Sequence, residues 1–254
     1  LAAVLYGYLT VSGDQEDSAI CCLCGFIAEA DAWDNVDRVW RALLSESGGS
    51  FDAIACLHGT GAYQSWDILR RHALLAELSA TLTRSTLVPV GAFVVREHFS
   101  RLSSPDHAVL TTEGVDSPLD LIFYDLIERT ICRAHEESEK ISLALDREPQ
   151  SAAGRYNELF NKHLGRYHLG PHLMGALAFA DAHGCNYLQA AKLLGEAVLL
   201  TEKRKSCSPK ADTSFDLPSN LQQLGEQIHR QGGFDAVELK RLLAKLKNVR
   251  RQPE

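Results

Sequence analysis

An α/β fold, built as a mixed sheet flanked by helices, is what the sequence predicts, and three observations predict it. Short apolar runs rich in β-branched and aromatic residues alternate with longer segments of helical periodicity, in the order β-β-α-β-α-β-α-β-α-β-α. The 254-residue length suits one large domain, and 45% hydrophobic with 23% charged residues is ordinary globular composition. No run approaches the roughly eighteen apolar residues that a membrane helix needs, and the apolar N-terminus lacks the basic leader of a signal peptide.

The chain is organised around Ala3 to Asp14, AVLYGYLTVSGD. Its apolar and tyrosine residues read as a buried strand that ends in a sharp Ser12-Gly13 turn. A second apolar segment, Ser18 to Ala28, completes a hairpin expected at the centre of the sheet. Asp31 reads as an N-cap, and Trp33, Val36, Val39, Trp40, Leu43 and Leu44 follow at helical spacing. Phe51 to Leu57 reads as a short strand delivering His58-Gly-Thr-Gly61 to a loop. Gln64 to Arg84 is an amphipathic helix, and Thr86 to Val95 a strand whose Pro89, having no N–H, points to an edge or a bulge. Arg96 to Gly114 reads as polar and irregular, with a short helix near Glu97. Ser117 then caps a helix that begins with Pro118 and runs to His135.

Lys140 to Asp146 is a compact strand ending in a carboxylate. A helix over Gly154 to Leu164, a His-rich connection, a strand over Leu173 to Ala180 and an apolar helix over Tyr187 to Lys203 follow. Residues 1–203 are read as the main domain, 204–218 as a polar linker with two prolines, and 219–254 as a helical C-terminal extension.

Net charge is −7, which argues against a surface coated for duplex DNA but leaves room for a local basic groove. The seven cysteines are an odd number placed mostly in apolar runs, so buried reduced thiols and a cytoplasmic location are expected. Cys21 and Cys24 form a CxxC, but strand alternation turns Cys21 away from Cys22 and Cys24, and no second pair matches it. His163, His168 and His172 straddle a connection broken by glycine, so surface histidines are the expectation there. The C-terminal run from Lys240 to Arg251 is a basic amphipathic helix with Leu239, Leu242, Leu243 and Leu246 as its apolar stripe. Its cations suit nucleic acid or an acidic partner, and more simply the C-terminal end of the helix dipole.

Four landmarks over the first 200 or so residues carry a resemblance to a known family. They are Tyr8-Leu-Thr-Val-Ser-Gly13 after the opening strand, Leu57-His58, the strand closing on Asp146, and Leu188-Gln-Ala-Ala-Lys-Leu-Leu194. Together they resemble the DUF3800 family, which implies a ribonuclease H-like fold. In such nucleases, carboxylates on the first strand, a later strand and a late helix hold two divalent cations, Mg²⁺ or Mn²⁺, that activate water and stabilise the leaving oxygen. This chain departs from that pattern. Thr10 and Val11 stand where the family has Asp and Glu, and Lys192 stands where the helix has Asp. Of that set only Asp146 remains, and a lysine ammonium would repel cations.

The resemblance therefore implies a degenerate nuclease-like domain that binds nucleic acid or a protein partner and has no cofactor. In it Asp146 and His58 are the candidate chemical groups, and Thr10, Ser12, Gln189 and Lys192 contact the ligand. One alternative is an active Mg²⁺- or Mn²⁺-dependent nuclease whose metals are held by Asp14 and Asp146. Another is a structural module whose apolar helices mediate self-association.

Overall fold

The computed structural model describes residues 4–13, 15, 18–45, 48–146, 150–166, 174–206 and 217–249. Its centre is the hairpin of β1 (Val4–Ser12) and β2 (Ile20–Glu29), paired antiparallel with Thr10 opposite Cys24 and Ser12 opposite Cys22. β3 (Val88–Val95) lies antiparallel on the far side of β2, while β4 (Lys140–Asp146) and β5 (Met174–Ala180) add parallel strands beyond β1. A two-residue strand, β6 (Gly233–Phe234), pairs with Phe93 and Val94, so the six-stranded order is β5-β4-β1-β2-β3-β6. Pro89 lies on the part of β3 that β6 does not reach, where no outer strand needs the N–H that proline lacks.

Side-chain alternation divides the interior into two cores, one on each face of the sheet. On one face Cys22, Cys24, Phe26 and Phe93 pack under α1 (Ala30–Leu44), α3 (Ile68–Arg84), α8 (Asn186–Ser206) and α9 (Ser219–Gly232). On the other, Leu9, Leu23, Val94 and Leu143 pack under α6 (Pro118–Glu137), α7 (Gln150–Arg166) and α10 (Ala236–Val249). The C-terminal helices are therefore packed into the fold, with Leu221 and Ile228 in the first core and Leu239 and Leu243 in the second. No helix among the described residues is long and apolar enough to cross a membrane.

Three local expectations are corrected. The segment expected as a strand over 51–57 is a helix, α2 (Ala53–His58), whose Asp52 accepts a hydrogen bond from the Ala55 N–H. Its buried residues Ala53, Cys56 and Leu57 follow the i, i+3, i+4 helical pattern, which is hard to read in so short a run. Asp31 lies in the first turn of α1, and the cap position is Glu29, with no side-chain cap bond. The polar stretch after β3 holds the short helix expected near Glu97, α4 (Arg96–Ser100), and, where irregular chain was expected, a second helix, α5 (Ser104–Thr112), capped by the Ser103 side chain.

α6 begins where Ser117-Pro118 predicts. Ser117 Oγ accepts from the Asp120 N–H at 3.1 Å, and Asp120 Oδ2 accepts from the Ser117 N–H at 2.7 Å, a reciprocal capping box. Ser117→Ala should cost about 1 kcal/mol and lower Tm by roughly 2–4 °C, measured by thermal melting.

Candidate functional site

The carboxyl ends of β1 and β4 and the first turns of α8 bring most of the predicted site residues into one region, but not into one open site. Thr10 is fully buried and Ser12 is 3% exposed, both on the face of β1 that α8 crosses. α8 can lie so close because residue 195 is glycine. A Cβ there would stand 2.6 Å from Ser12 Oγ and 3.2 Å from Ser12 Cβ, with Thr10 Oγ1 at 3.9 Å. The buried Gly195 carbonyl accepts from the Cys22 thiol at 3.7 Å. Thr10 Oγ1 and Ser12 Oγ close no hydrogen bond of normal geometry among the described residues, although such groups are usually satisfied when buried. The position where the resemblance expects a metal-binding carboxylate is thus roofed by a helix backbone.

Gln189, 2% exposed, is a cross-link between loops. Its Oε1 accepts from Trp40 Nε1 at 3.3 Å and from the Phe51 N–H at 3.1 Å. Its Nε2 donates to the carbonyls of Ala182 and His183, both at 3.2 Å, and lies 3.4 Å from Ser50 Oγ. Asp146, at the end of β4, accepts from the Ala182 N–H at 3.1 Å. Gln189 and Asp146 therefore hold the same turn at Ala182, Gln189 through the Ala182 and His183 carbonyls and Asp146 through the Ala182 N–H.

His58 is the last residue of α2 and is exposed, in place of the strand end expected for it. The adjoining carbonyls of Cys56 and Leu57 are taken by Arg71 Nη1, at 3.0 and 2.9 Å. No contact joins His58 to Asp146 or Lys192 among the described residues. Asp14, His168 and His172 lie outside the described residues, as does the side chain of His163.

The group missed by sequence reading is Glu196, one turn after Lys192. Burial pushes its carboxyl up from the usual range, against the lowering pull of the Ser12 hydroxyl, Lys192 and Lys203, while Asp52 adds to the rise. A glycine followed by a glutamate inside the apolar run Ala190 to Leu200 was the available signal, because each is costly there without a packing reason.

These residues do not fit two divalent cations. Thr10 is sealed, Lys192 places an ammonium on the helix, and Asp146 is not among the charges that act on Glu196. Among the described residues no group of three or more His, Cys, Asp or Glu side chains could hold a metal ion. No family model matches this chain, and no curated protein is significantly similar to it.

Gly195→Ala should destabilise by about 1–3 kcal/mol through overpacking, and Ser12→Ala should recover part of that loss when the two are combined. A double-mutant cycle in urea measures the coupling. Because Glu196 is held above its unfolded pKa of about 4.3, the native state keeps a proton that the unfolded state loses. Stability should therefore fall as pH rises from that value through the raised native one. Glu196→Gln should flatten this slope and leave the protein more stable at neutral pH, as read from urea midpoints across the pH range.

Proposed function

We propose that the chain is a ribonuclease H-like domain without two-metal hydrolysis that serves as a binding module for a protein partner. Strand order supports the fold reading. The first strand lies between an antiparallel β2 and a parallel β4, with a late helix crossing it, so first strand, later strand and late helix meet as that fold requires. The observation that carries the functional reading is the sealed Thr10 under Gly195. A carboxylate at position 10 would take the place of a fully buried hydroxyl, at a strand end that α8 crosses.

Charge favours a protein partner over nucleic acid. The net charge is −7, and three of the four cations of α10 pair with carboxylates. Lys245 pairs with Glu128 at 2.5 Å, Lys247 with Asp106 at 2.7 Å, and Arg241 with Glu238. The Lys247 hydrogen bond holds the Asp106 carboxyl below its ordinary range. Lysines so occupied contribute little to phosphate binding.

The test is an assay of single- and double-stranded DNA and RNA with Mg²⁺ or Mn²⁺, using the protein and Asp146→Asn. Neither should cleave. Metal-dependent cleavage abolished by Asp146→Asn would replace this reading with that of a rearranged nuclease.

A further inference from the structure

We propose that the uncovered face of β1, β4 and β5 docks an amphipathic helix from a partner protein, small and apolar on one side and basic on the other. The inference rests on the binding-module reading and names the partner's chemistry.

These three strands run parallel, and parallel strands are as a rule covered on both faces. Here one face is covered, with Leu9, Leu143, Leu145 and Leu177 under α6 and α7. On the opposite face the core beneath α1 and α8 reaches Tyr8, and among the described residues none of β4 or β5 belongs to it. Register sets Tyr8, Ala144 and Ala178 side by side, with Tyr6 beside Ser142 in the next row. Tyr6 is 37% and Val4 39% exposed, and Ala176 and Ala178 are also exposed.

Three strands about 4.8 Å apart make a floor roughly 10 Å wide, the diameter of one helix. Its small side chains allow close approach. One wall is aromatic, formed by Tyr8 and Tyr187 with ring centroids 4.7 Å apart. Behind it Asp34 accepts from the Tyr187 hydroxyl at 3.4 Å, and Asp31 is exposed on the same helix. Asp181 is exposed past the end of β5, and the one cation among the described residues of β4 and β5, Lys140, lies at the opposite end of β4. This acidic border favours a cationic flank on the incoming helix and disfavours a phosphate backbone.

The probe is a fluorescent helical peptide of about 18 residues, alanine on one face and lysine and arginine on the other, with a glutamate counterpart. Anisotropy should show saturable binding of the basic peptide only. Ala178→Arg and Asp34→Lys should each weaken it about tenfold or more while thermal melts stay unchanged, since both positions are exposed. No binding, equal binding of both peptides, indifference to Ala178→Arg, or preference for a single-stranded oligonucleotide would overturn the inference. Nuclease activity would overturn the binding-module reading without altering the peptide titration, so the two failures are distinguishable.

Discussion

The contact between Gly195 of α8 and the end of β1 is the constraint on which the rest of the site depends. Glycine inside a helix costs about 1 kcal/mol relative to alanine, and here the absent Cβ lets the helix backbone settle onto Ser12 and Thr10. That approach seals two hydroxyls, brings the Gly195 carbonyl to the Cys22 thiol, and sets Glu196 against the strand end. Gln189, on the first turns of α8, is then placed to tie Trp40, Phe51 and the turn at Ala182 together.

Charge follows the same geometry. Lys192 and Lys203 stand on α8 on either side of Glu196 and offset its burial, whereas Lys245 and Lys247 of α10 pair with carboxylates on α6 and α5. A surface of net −7 with its most basic helix internally paired has little left to hold a polyanion. The same surface is suited to a cationic protein segment. The parallel half of the sheet offers a floor for one, because its residues there are small and no helix among the described residues covers them.

Much of this fold is legible in the sequence where patterns are long or strongly punctuated. The central hairpin, the strand closing on Asp146, and the helix opened by Ser117-Pro118 are all placed by apolar period and capping chemistry. α2 and α5 are not, because six and nine residues give too few turns for a period, and Asp52 and Ser103 are caps only once their helices exist. The site was half legible. Thr10, Ser12, Gln189 and Lys192 do gather around α8 and β1, but alignment of residue types carries no information about depth. The burial of Thr10 and Ser12 follows from α8, whose Gly195 meets Ser12 some 180 positions away in sequence, and the engagement of Gln189 follows from loops that only the fold brings together.

The most direct test of the central claim is a calorimetric Mn²⁺ titration of the protein and of Thr10→Asp combined with Lys192→Asp. A sealed site predicts no binding heat from the parent. It also predicts no gain from the double variant, which should instead melt at a lower temperature because a carboxylate has been buried beneath Gly195. Stoichiometric binding by the parent, or a stable double variant that acquires it, would contradict the account and reopen the end of β1 as a metal site.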